Sequence, residues 1–131
     1  MSASPSLTPA IRIRTERHLA EVGFFGDVDL DALMATSRQI SAHASFRRGM
    51  DTLADFTRAA LRLSYDDMDR FRDYVWSLEA LRGPCRWAAV APNAPSRESV
   101  ALFAAMAEAF ELRIQVRHFY AADAALHWLG G

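Results

Sequence analysis

The sequence predicts an α/β domain: an open, mixed, mostly parallel sheet of about five strands with an antiparallel N-terminal hairpin, flanked by about four helices. Three observations carry this. Apolar and polar residues alternate at Ile11-Arg12-Ile13-Arg14, the mark of a half-buried strand. Later stretches with apolar residues three and four apart are separated by short apolar runs, the pattern of strand–helix–strand units. The chain has 131 residues, of which 51% are hydrophobic and 24% charged, the balance of one globular domain.

In chain order, Met1 to Pro9 is polar and proline-containing and reads as a loose tail, so the folded domain is expected over 10–131. After the first strand, Thr15-Glu16-Arg17 turns the chain, and His18 to Phe25 forms the second arm of the hairpin. Gly23 and Gly26 bracket Phe24-Phe25 and let the chain leave the strand. Asp27 or Asp29 caps a first helix that carries Leu30, Leu33, Met34, Ser37 and Ile40 on one face and runs to about His43.

Met50 to Phe56 is the third strand. Ser64-Tyr65-Asp66-Asp67 is the clearest helix start in the chain, with Ser64 and Asp67 spaced as a capping box. Met68, Phe71, Val75 and Leu78 form its buried stripe, Asp66 and Arg70 can pair on its wet side, and Gly83-Pro84 stops it. Arg86 to Ala91 lacks alternation, as expected of a strand covered on both faces. Asn93 or Ser96 caps a third helix bearing Val100, Phe103, Ala104, Ala107 and Phe110. Ile114, Val116 and His118 alternate in a last strand, and Asp123 to Leu129 closes the chain as a short helix.

The bulk chemistry excludes several function classes. Net charge is −1, so no general pull toward nucleic acid or an anionic membrane is expected. Every basic residue other than histidine is arginine, and the arginines form no single stripe. The single cysteine, Cys85, can form no internal disulfide, and a reducing, cytoplasmic address is the simplest reading. The start has no basic segment followed by an apolar one, so a secretory leader is not expected, nor is an integral membrane segment.

Specific chemistry is equally sparse. Cys85 has no nearby ligand partner, and His18, His43, His118 and His127 are scattered, so no metal or other cofactor is expected. Without lysine there is no P-loop, and Gly-x-Ser-x-Gly is absent. Arg86 beside Cys85 can stabilise a thiolate, yet no positioned base accompanies it, and a buried structural thiol is the reading adopted. No catalytic residue is assigned.

Two constellations survive. In open parallel sheets, sites form where loops leave the carboxyl ends of strands. That edge should carry Asp55 and Thr57, Asn93 and Tyr120, with the helix starts near Ser64 and Ser96 pointing the same way. Such an edge can hold an anion, a phosphate or an acidic residue of a partner, while Asp55 and Asn93 as plain turn caps explain the same pattern. The second constellation is on the third helix, where Leu102 and Met106 form an apolar pair away from its core stripe. A second subunit, a partner, a lipid or a larger internal core would cover it.

Element order and several local phrases together resemble the SpoIIAA-like branch of the STAS-like domains, the anti-anti-sigma-factor type. The carriers are the N-terminal hairpin, Gly26 before the first helix, Leu53-Ala54-Asp55, Ser64-Tyr65-Asp66-Asp67, Trp87-Ala88-Ala89-Val90 and the closing Asp123-Ala124-Ala125-Leu126-His127-Trp128-Leu129. The resemblance implies a non-enzymatic regulatory module that binds protein partners and is switched by phosphorylation. The family's serine directly follows an aspartate at the start of the second helix. Here Asp55 is followed by Phe56 and Thr57, and the Asp-Ser-Ser/Ala-Gly phrase is missing. Thr57 is the nearest positional counterpart and Ser64 the nearest helix-capping one, which makes them the candidate phosphorylation positions. A protein partner or a homodimer is expected, and carriage of a small apolar or lipid-like ligand is the competing reading.

Overall fold

The computed structural model describes residues 8–130, apart from the side chains of Leu78, Ala80 and Leu81. Most of the expected N-terminal tail, and Leu78 of the second helix's stripe, therefore lie outside the described residues. The sheet begins with strands β1 (Ala10–Arg14) and β2 (Leu19–Val28), paired antiparallel with Ile11 opposite Val22 and Ile13 opposite Ala20. A 3-10 turn over Thr15–Arg17 joins them, and His18 at φ 53° closes it in the left-handed region.

Helix α1 (Leu30–Ala42) is capped by Asp29, whose carboxylate accepts from the N–H of Ala32. Strand β3 (Asp51–Leu61), helix α2 (Tyr65–Arg82), strand β4 (Cys85–Val90), helix α3 (Ala94–Ala109), strand β5 (Ile114–Phe119) and helix α4 (Ala122–Trp128) complete the order. The five strands lie side by side in chain order, and every pair after the hairpin is parallel. Because right-handed crossovers step in one direction, α1, α2 and α3 fall on one face of the sheet. Only α4 covers the other.

This asymmetry sorts the core. The front face packs Ala20, Val22, Phe24, Phe56 and Ala89 against α1 and α3, with Phe24 and Phe56 stacked at 4.7 Å. A second front cluster gathers Phe71, Val75, Phe103, Met106 and Ile114, with Trp87 against it. On the back, Leu53, Ala88 and Val90 meet Ala125, with Phe119 and Trp128 against them. β4 is thus covered on both sides, as its unbroken apolar run implies.

Two expectations need correction. β3 does not end at Phe56 but runs on to Leu61, past the end of β4, which pairs only as far as Asp55 opposite Val90. An irregularity lies between the pairs Gly23–Asp55 and Phe25–Arg58, where β3 spends one more residue than β2. That extra residue breaks the period-two alternation and hides the strand's second half from the sequence. Arg70, in turn, pairs with Asp31 at 3.4 Å and Asp67 at 3.6 Å rather than with Asp66.

Candidate functional site

The overhang of β3 explains the polar residues at the start of α3. Beyond Asp55 the strand has β2 on one side and no β4 on the other, so its inner N–H and C=O groups need other partners. Asn93 caps α3 by accepting from the N–H of Ser96 and donates to Ala59 O at 2.7 Å. The hydroxyl of Ser96, 0% exposed, accepts from Leu61 N at 2.8 Å. That of Ser99 donates to Leu61 O and accepts from Leu63 N. Three side chains of α3 and its cap thus stand in for a missing strand.

Asp55 and Thr57 are tied to each other. The Asp55 carboxylate accepts from the N–H of Thr57 at 2.8 Å and from its hydroxyl. Thr57 is exposed on a strand rather than at a helix start. Ser64 does begin a helix: its hydroxyl accepts from Asp67 N, and Asp67 accepts from Ser64 N, closing the capping box. Tyr120 is exposed, its ring edge-on to His118, whose Nε2 lies 2.8 Å from Ala91 O.

The structure brings Ser64 and Leu102 together in one open groove between the start of α2 and the side of α3. Tyr65 stands on its rim, 79% exposed, with Asp67, Glu98 and Arg62 around it. Met106, by contrast, is buried at 8% exposure in the cluster formed with α2, and Leu102 packs half-buried against the same cluster. The second apolar face of α3 is covered largely by the chain's own α2, the larger-core alternative.

Beneath the groove lie two small cavities. Leu63 and Ser99 also line a cavity of about 70 Å³ under the helices, whose walls include Phe56, Phe103 and Val116. A neighbouring cavity of about 50 Å³ shares Leu33, Thr52, Ala54, Phe71 and Trp87 with it. Each exceeds several times the ~10–15 Å³ that admits one water.

Arg82, the last residue of α2, lines the inner cavity and is 1% exposed. Its guanidinium donates from Nη2 to Thr52 Oγ1 at 2.7 Å and from Nη1 to Ser41 Oγ at 3.4 Å, while Nε has no partner. The rings of Phe46 and Trp87 lie over it at 5.1 and 5.3 Å. Among the described residues no carboxylate pairs with it. Burial therefore pulls its pKa below the ordinary arginine value. Desolvating one ion costs several kcal/mol, whereas two cation–π contacts return about 0.5–2 kcal/mol each.

Ser37 and Trp87 line the same inner cavity, but Ser37 Oγ is fully buried without a hydrogen-bond partner and the Trp87 indole N–H lies against the Cys85 sulfur. The Cys85 thiol beside Arg82 supplies no counter-charge. Burial raises its pKa more than the nearby guanidinium lowers it, so the thiol stays protonated.

The arrangement has a counterpart of known structure. A crystal structure of an uncharacterized protein from the DUF3478 family, with a SpoIIAA-like fold, from Shewanella loihica PV-4, covers 98% of this chain and 98% of its own, with a TM-score of 0.58 at 15% sequence identity. The fold is SpoIIAA-like. No protein-family model and no curated protein matches the chain. No helix among the described residues is long and apolar enough to cross a membrane.

Within this SpoIIAA-like frame, sequence reasoning missed Arg82, Ser37 and Trp87. In sequence Arg82 looks like an ordinary last-turn helix cation, favoured there by the helix dipole. The one available hint was its place just before Gly83-Pro84, which brings the last turn of α2 close to the sheet. Gly83 adopts φ 71°, and the Arg48 side chain packs so near that a Cβ there would meet it at 3.0 Å. The chain segment before β3 thereby closes over Arg82.

Proposed function

We propose that this chain is a non-enzymatic regulatory module of STAS-like type that docks a protein partner in the groove between the start of α2 and α3. The observation that carries the reading is Tyr65. A large amphipathic ring, 79% exposed beside a concave surface with a half-buried Leu102 and a charged rim, suits an interface anchor. Ser64 at the same helix start supports regulation there, because a phosphate on a helix N-cap gains from the dipole and from free N–H groups. A phosphate on Thr57 would face the Asp55 carboxylate and one on Ser64 the Asp67 carboxylate, but only Ser64 also stands at a helix N-terminus, which makes it the favoured position. Its proposed address is cytoplasmic.

The test is photo-crosslinking from residue 65. A benzophenone side chain introduced there should capture one recurrent partner, or a second copy of the chain, in native cells. The same group at Arg17, at the other end of the sheet, should not. Equal patterns from both positions, or none from residue 65, would remove the docking claim. Light scattering on wild type and on Leu102→Asp identifies a homodimer if the partner is a second copy.

A second reading, carriage of a small apolar or lipid-like ligand, is favoured by the two adjoining cavities beneath the groove. Denaturing extraction followed by mass spectrometry tests it, and repeatedly clean extracts count against it.

A further inference from the structure

The last strand of the sheet is bare along its outer side. β5 has β4 on one side and no strand on the other. Cys85 N donates to Arg113 O and Ala91 N to Phe119 O, so the odd-numbered residues of this stretch turn their backbone toward β4. By the alternation of a ladder, Ile114, Val116 and His118 turn theirs outward. Among the described residues nothing bonds to these outward N–H and C=O groups. A cleft of about 330 Å³ follows the same edge, lined by Ile114 and Val116 from the strand and by Ala104, Glu108 and Glu111 from α3 and the turn after it.

Such an edge takes another strand, and the helix beside it indicates whose. Arg97, Ala101, Ala104 and Glu108 follow one another along α3 at steps of four, three and four residues, which sets them in one stripe. Arg97 donates to Pro92 O and lies over the Tyr120 ring, and Ala104 and Glu108 line the cleft, so the stripe runs along the β5 side of the helix. Read backwards, its steps are the same and its end charges are exchanged. A two-fold axis through its middle would set Arg97 against the other copy's Glu108 at both ends, with the small Ala101 and Ala104 facing each other between them. Among the described residues neither Arg97 nor Glu108 has an ion-pair partner of its own.

The strand obeys the same axis. Antiparallel pairing of β5 with a second β5, centred on Val116, sets Val116 against Val116 and Ile114 against His118, so every outward N–H and C=O finds a partner. A centre shifted by one residue would set Ile114 or His118 beyond the end of the other strand. The two centres also lie level. The middle of the stripe is about 10 Å from the end of α3 at Ala109, at about 1.5 Å per residue. Val116 is about 10 Å from Arg113, at about 3.3 Å per residue.

We propose that two copies of this chain pair edge to edge through β5, joining their sheets into one continuous sheet with α3 against α3 on one face. The same patch serves both copies, so the contact closes on itself and the assembly stops at a dimer. Leu102 and the groove at Tyr65 lie on the α2 side of the helix, so this surface goes beyond the docking reading and stands or falls independently of it.

Light scattering over a range of concentrations tests the pairing. Wild type should give twice the 14.6 kDa of one chain. Glu108→Arg and Arg97→Glu each set like charges against each other on the helix surface, and each should weaken the dimer at least about tenfold. The double variant Arg97→Glu/Glu108→Arg restores opposite charges at both ends and should recover it. Val116→Pro leaves the chain's own ladder whole, because that N–H faces outward, and should yield a folded monomer by circular dichroism. A wild type of single-chain mass at every concentration would overturn the proposal. So would a dimer that both charge reversals leave unchanged, or a double variant that associates no better than either single one. A dimer broken by Leu102→Asp but by none of these variants would place the second copy in the groove, which overturns this surface and spares the docking reading.

Discussion

Two arginines four residues apart, Arg82 and Arg86, meet opposite fates on the two faces of the same sheet. Arg86, on the back, donates from Nη2 to Asp51 Oδ2 at 2.8 Å, while its backbone N–H donates to Asp51 Oδ1 at 2.7 Å. Its guanidinium also donates to the carbonyls of Trp128 and Leu129, and it stacks on the Trp128 ring. Every part of it fastens α4 and the chain end to the sheet. Arg82, on the front, likewise stacks on a tryptophan but has hydroxyls in place of a carboxylate and one N–H with no partner. The first is a staple, the second a buried cation held by hydroxyls and aromatic rings. Similar residues in similar aromatic settings differ because one has its counter-ion within the chain.

The sharpest way to break this contrast is to remove the counter-ion where it exists. Asp51→Ala should destabilise the protein by about 3 kcal/mol in urea unfolding, since it leaves the Arg86 N–H and guanidinium without their acceptor. Loosening of α4, seen as faster amide exchange over Ala122–Trp128, should accompany the loss. Next in size is Ser96→Ala, which leaves the Leu61 N–H buried without an acceptor and should cost about 2 kcal/mol by the same measurement. That effect belongs to the front face but not to Arg82, and so calibrates what an ordinary buried hydrogen bond contributes there.

Arg82→Met should then change stability by less than about 1 kcal/mol, or raise it, because an apolar side chain of similar length removes an uncompensated buried charge. A loss as large as that of Asp51→Ala would make Arg82 a second staple and erase the distinction. The smallest effect concerns Cys85. Burial raises its folded-state pKa, so the folded chain keeps the thiol proton to higher pH than the unfolded chain. Its contribution is full below the ordinary thiol value of 9.0 and is lost as pH climbs through that value toward the raised one. Cys85→Ala should flatten the fall in stability above about pH 9, read as a shallower pH dependence of the urea midpoint.

What could be read from the residues alone follows the range of the forces involved. The hairpin, the Ser64–Asp67 capping box, the Gly83 stop and the parallel order are local or periodic, and the structure has them where the spacing puts them. The second half of β3 was hidden because the bulge places Thr57 and Arg58 outward in succession, and no alternation survives that. Its compensation, Ser96 and Ser99 serving as strand partners, joins residues more than thirty positions apart, and nothing near a serine on a helix announces it. The same holds for the apolar pair on α3, whose cover is α2. The Arg82 cavity is the extreme case: its lining comes from five elements, and each residue looks unexceptional among its sequence neighbours.

The account turns on whether Arg86 fastens the fold and Arg82 does not. Urea unfolding of Arg86→Met beside Arg82→Met asks this directly. The account predicts a loss of about 2 kcal/mol or more for Arg86→Met and no loss, or a gain, for Arg82→Met. Equal losses in the two proteins would contradict it.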